Sequence, residues 1–111
     1  MADPFNLTDK PVRMTAPGKQ DLRLVFDGGP YDECDLLLTV YEASVNVTIE
    51  ILTSMQNESE QGWVSAGTFS STGANTALKL NIKNFLRYLR WNLQTSATTT
   101  FLIQGMGRRW G

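Results

Sequence analysis

The sequence predicts an all-β fold: a single antiparallel β-sandwich, jelly-roll or immunoglobulin-like, with an extended N-terminal arm. Three observations lead there. Val45, Val47, Ile49 and Ile51 alternate with Asn46, Thr48 and Glu50, so a pleated strand puts four branched apolar side chains on one face and three polar ones on the other. A helix would scatter the same four around its circumference, and β-branching favours the extended form. Alternation recurs at Leu78, Leu80 and Ile82 and at Leu89, Trp91 and Leu93, with turn signals between, which makes about seven strands at intervals of roughly 8–12 residues. No segment carries a convincing helical stripe. The dry faces need a second layer, and with no helix to supply it that layer is another sheet. At 111 residues the chain is one domain, long enough for a single core.

Taken in order, residues 1–18 contain Pro4, Pro11, Pro17 and Gly18, which oppose both a helix and a central strand. This is the arm. Phe5, Leu7, Val12 and Met14 are spaced for alternate burial, so it either packs along its own domain as an edge strand or reaches a neighbouring subunit. The sandwich spans residues 19–105. It opens with a strand over about Gln20–Phe26, where Leu22, Leu24 and Phe26 alternate, ended by Asp27-Gly28-Gly29-Pro30. Leu36–Tyr41 is apolar on both faces, as suits a central strand covered on both sides or a strand facing a partner. Only Glu42-Ala43-Ser44 separates it from Val45–Ile51, which predicts an antiparallel hairpin. Met55–Gly62 reads as an exposed loop. Trp63, Val64 and Gly67-Thr68-Phe69 form a further strand, a Ser/Thr/Gly turn follows, and 77–82 is the next. Over 85–93 a helix would group Leu86, Leu89, Arg90 and Leu93, whereas a strand separates Leu89, Trp91 and Leu93 cleanly from Tyr88, Arg90 and Asn92; the strand is the better fit. Thr99–Gln104 is the last strand, and residues 106–111 are a tail.

Composition excludes several chemistries. There is no histidine and only one cysteine, Cys34, so an internal disulfide, a multi-cysteine metal site, and histidine-based zinc sites and triads are ruled out. Cys34 has acidic neighbours and nothing to activate its thiol. No P-loop, nucleophile elbow or dinucleotide fingerprint occurs, and the carboxylates fall mostly in loops and the arm. We therefore expect no enzyme and no cofactor. The acidic stretch Asp27, Asp32, Glu33 and Asp35 invites calcium, but its spacing does not match the Asp-x-Asp-x-Asp-Gly loop and a polar turn accounts for it. No apolar run approaches the roughly 18 residues of a membrane helix, and the start lacks the pattern of a secretory signal, so synthesis in the cytoplasm is expected.

Charge is unevenly placed. Through Gly62 the chain carries a net −7, and from Trp63 onward, without a single acid, +6. Either the halves neutralise each other within one domain, or an acidic pole meets a basic pole of a neighbour. The equal acidic half disfavours nucleic acid as a partner.

From Val45 onward the chain runs as a strand, a polar loop ending in an aromatic, Gly67-Thr68-Phe69, a Ser/Thr/Gly turn, an inward-facing strand, Phe85-Leu86-Arg87-Tyr88-Leu89-Arg90-Trp91, and a Thr-rich strand ending near Gly105. This succession, about 60 residues, resembles the small β-sandwich proteins of tailed phages and phage-like particles used as capsid decoration or auxiliary virion proteins. The resemblance implies a structural virion protein, made in the host cytoplasm, that binds copies of itself or the major capsid protein. Phe5, Leu7 and Val12 of the arm and Arg108, Arg109 and Trp110 of the tail lie outside the periodic strands and have the composition of interface anchors; they are the expected partner-binding residues. The alternative is a carbohydrate-binding sandwich that stacks sugars on exposed members of Trp63, Trp91, Trp110, Tyr31, Tyr41 and Tyr88.

Overall fold

The computed structural model describes residues 2–110; Met1 and Gly111, the extreme ends of the arm and the tail, lie outside them. Ten strands form two antiparallel sheets: β1 (Ala2–Asn6), β2 (Val12–Met14), β3 (Gly18–Lys19), β4 (Phe26–Asp27), β5 (Glu33–Ala43), β6 (Val47–Ser54), β7 (Val64–Thr72), β8 (Thr76–Lys83), β9 (Tyr88–Leu93) and β10 (Thr99–Arg108). The first sheet has the order β1-β10-β5-β8, with β2 beside β1's position on β10; the second has β3-β9-β6-β7, with β4 also on β9. The all-β sandwich is as expected.

The alternating residues face inward. Leu36, Leu38 and Val40 of β5 and Ile103 of β10 meet Val47, Ile49 and Ile51 of β6 and Leu89 and Leu93 of β9, all at or near zero exposure. Burying each such side chain stabilises the fold by about 1.5–3 kcal/mol. Trp91 lies edge-on to Phe101, 5.1 Å between ring centres at 85°, and so ties the second sheet to the first.

Four expectations are corrected. β5 and β6 do not form a hairpin: they lie in different sheets, because a hairpin would set their two apolar faces side by side, whereas crossing over stacks them. Val45 falls before β6 and is 54% exposed. The strand expected over Gln20–Phe26 is mostly a 3-10 turn, Leu22–Leu24, capped by Asp21, whose carboxylate accepts the Arg23 N–H at 2.9 Å; only Phe26–Asp27 pairs, with β9. The last strand continues through Gly105 to Arg108. Both its glycines are sites of close approach, since a Cβ at Gly105 would fall inside the Phe5 ring and one at Gly107 inside the Tyr31 ring.

The arm's strands β1 and β2 are part of the first sheet, and its last residue, Gly18, pairs with Leu93 in the second. β1 pairs with β10 from Ala2↔Arg108 to Asn6↔Gln104, and β2 pairs with its other half, Thr99–Phe101. Strand pairing therefore runs across both boundaries drawn at 18/19 and 105/106.

Candidate interaction surface

The end of the sandwich where arm and tail meet is held by aromatic stacking and charge. Phe5 lies flat on Phe26, 3.9 Å between centroids, with Tyr31 stacked beyond at 6.2–6.3 Å. The Arg109 guanidinium sits 5.7 Å above Tyr31 and 3.7 Å from Asp3, and the Tyr31 hydroxyl donates to Asp3 at 3.3 Å. Desolvation, followed by the Asp3 charge, raises the Tyr31 pKa. Arg108 pairs with Asp35. Trp110 donates its backbone N–H to Asp32 at 2.7 Å and its indole N–H to Glu33 at 3.3 Å, yet stays 59% exposed.

Among the expected anchors, Leu7 is buried in the core, and Phe5 and Val12 pack against it. Their alternation was the signal of an edge strand. Arg108 and Arg109 bond to acids of their own chain, and Trp110 alone of the six carries a large exposed apolar surface.

Acidic and basic halves meet inside the molecule. Of seven ion pairs among the described residues, five join an acid before Gly62 to a cation after Trp63: Glu33–Lys83, Asp27–Arg87, Glu60–Arg90, Asp35–Arg108 and Asp3–Arg109. The pKa of Asp27 is lowered first by its bond from Arg87, and those of Glu33 and Asp35 first by bonds from the Asn81 amide, at 2.6 and 2.7 Å. The acids considered for calcium are thus engaged by their own chain, and among the described residues no three converge as metal ligands do. Burial, then Asp35 and Glu33, pushes the Cys34 thiol up to about 12, which keeps it protonated and inert.

The outer face of the second sheet is covered around Arg90, while Ser65, Thr68 and Ser70 of β7 stay exposed. The β6–β7 loop folds over it, knitted by Gln56, whose carbonyl accepts the Glu58 and Ser59 N–H groups at 2.7 and 2.8 Å while its amide donates to the carbonyls of Ser59 and Gln61. The Trp63 indole N–H closes the loop onto Ser59 at 2.9 Å. Beneath it Arg90, 2% exposed, donates to Glu60 at 2.8 and 3.0 Å and to the Gln20 carbonyl at 2.6 Å, with Trp63 5.4 Å away. The bond from Arg90 lowers the Glu60 pKa. Composition alone reads this loop as merely exposed, and Arg90 as merely outward.

The outer face of the first sheet is bare. Leu37, 42% exposed, stands on central strand β5 between Lys79 of β8 and Gln104 of β10, with Met106, 39% exposed, one pair further along. A groove of about 390 Å³ runs between them, lined by Asp35, Leu36, Leu37, Lys79, Gln104, Gly105 and Met106. Tyr41 lies on the same strand, 46% exposed. Of the other aromatics considered for sugar stacking, Trp91 is core, Tyr31 is stacked, Trp63 faces Arg90, and Arg87 lies 4.9 Å over Tyr88, whereas Trp110 is held only by its N–H groups and keeps an exposed ring.

No protein-family model matches the chain, and a search of curated proteins finds no match. Solved structures do. PBSX exported protein XepA is 14% identical, with a TM-score of 0.64 over 98% of this chain and 38% of XepA. The chain thus spans well under half of that protein's length. The SPBc2 prophage-derived protein YomS is 17% identical, with a TM-score of 0.53 over 96% of this chain and 92% of YomS. The likeness is one of fold, and at that level the resemblance to phage β-sandwich proteins is met.

Proposed function

We propose that the protein is a non-enzymatic structural component of a phage-type particle, and that the bare outer face of the first sheet is where it meets a capsid surface or another copy of itself. One observation carries the reading. Central strand β5 buries Cys34, Leu36, Leu38 and Val40 on its inner face, while on its outer face Leu37 and Tyr41 stay in solvent beside Glu33, Asp35 and Thr39. The strand order supports it: with β1/β2 and β3/β4 taken as split edge strands, it is that of a jelly roll, an architecture shared by capsid and lectin domains. A prophage-derived neighbour of nearly the same length adds to it. In this reading the protein is made in the host cytoplasm and resides in the virion.

The test is Leu37→Asp. We expect a folded protein whose melting temperature is within about 2 °C of the parent's, a surface substitution costing no more than about 0.5 kcal/mol. Co-sedimentation with capsids, or self-association measured by sedimentation velocity, should fall several-fold. Undiminished binding by the folded variant would remove this face from consideration.

A further inference from the structure

Two exposed features have opposite character and, among the described residues, no ion pair of their own, although the Lys79 charge helps to hold the Asp35 pKa down. Lys79 stands on the wall of the groove beside Leu37 and, among the described residues, is the one cation after Trp63 outside an ion pair. On the other side of the sandwich, the β6–β7 loop presents Met55, at 67% the most exposed large apolar side chain among the described residues, and Glu58, an exposed acid with no ion-pair partner among them. Other acids outside ion pairs are poorer matches, because Asp32 accepts the Trp110 N–H, Glu50 is bonded by Asn92 and Gln94, and Asp9 is followed directly by Lys10. The loop is already ordered by Gln56, so docking it forfeits little conformational freedom.

We propose that the groove receives the β6–β7 loop of a second copy, with Met55 set between Leu37 and Met106 and Glu58 against Lys79. This rests on the reading of the bare face as a docking surface. The loop reaches over the outer side of the second sheet, where Glu60 holds Arg90, and the groove is on the outer side of the first. Donor and acceptor surfaces therefore lie on opposite faces. The contact is head-to-tail and repeats from copy to copy, giving a ring if the rotation closes and a filament if it does not.

Charge exchange tests it. The parent protein, Lys79→Glu, Glu58→Lys and the double variant are compared by sedimentation velocity, with circular dichroism confirming the fold of each. Each single variant should associate several-fold more weakly, while the double variant, or an equimolar mixture of the two singles, should recover. Recovery is the result a merely structural role of either residue would not produce. If Lys79→Glu and Leu37→Asp weaken association or capsid binding but Glu58→Lys does not, the face stands as a docking surface and the loop as its occupant is overturned. A parent protein that stays monomeric at all concentrations also overturns the loop, while Leu37→Asp against capsids still decides the face. If none of the substitutions has an effect, both readings fall.

Discussion

The two outer faces of the sandwich solve the same problem differently. On the second sheet a loop of polar composition closes over an arginine and fastens it with a carboxylate and an indole, while Gln20 supplies a backbone carbonyl. On the first sheet the corresponding surface keeps Leu37 and Met106 in solvent. A chain that shields an arginine on one face and leaves two apolar side chains in solvent on the other sets the two faces apart. Residue type alone does not make this distinction: Arg90 is charged yet buried, and Leu37 is apolar yet exposed.

That contrast can be broken first at its closed face. Arg90→Ala leaves the Gln20 carbonyl without its 2.6 Å donor and removes a well-packed side chain, so we expect a loss of about 2–3 kcal/mol in chemical denaturation. Leu37→Ala should change stability by less than about 0.5 kcal/mol. Equal costs would mean that the two faces are alike. Gln56→Ala should cost less, about 1 kcal/mol, and its effect should be local: faster hydrogen exchange at the Glu58 and Ser59 amides, with β5 and β10 unchanged. Exchange spreading through the core would instead make the loop a structural keystone.

The smallest effect per residue is electrostatic. Asp27, Glu33, Asp35 and Glu60 all have folded pKa values below their usual ones, so the stability they supply is complete above their unfolded values, near pH 4. It is lost as pH falls through the folded values. The melting temperature should be flat from pH 8 to 5 and decline below about pH 4, and 1 M salt should blunt the decline because these groups are near solvent. A fall already between pH 7 and 5 would contradict these directions.

Much of the fold was legible where side chains alternate against a dry face, as in Val47–Ile51 and Leu89–Leu93. Legibility failed where backbone geometry depends on distant partners. Leu22 and Leu24 alternate as a strand would, but the Asp21 carboxylate caps a turn there and Leu24 is left 62% exposed. The short link from β5 to β6 does not reveal which sheet comes next; that is settled by packing β5 over β6. Gly105 reads as the end of the sandwich and Gly107 as tail because the rings that require these glycines, Phe5 and Tyr31, come from the other end of the chain. The bare face was half legible. A strand apolar on both sides could be seen, but whether anything covered it could not.

The strand order also dictates when the molecule can come into being. Among the described residues, strands β1 and β2 pair only with β10, and β3 and β4 only with β9, so these four strands have no partner until residues 88–108 leave the ribosome. At about 5–20 residues per second that is a wait of roughly 5–20 s, with only β6–β7 and β5–β8 able to form earlier. Folding must then close long loops, which makes it slow. It also makes it self-checking, because a chain that ends early lacks the strand next to the edge in the first sheet, and before residue 88 in both. Incomplete products cannot reach the folded form, and an assembly that selects folded copies excludes them without any separate inspection.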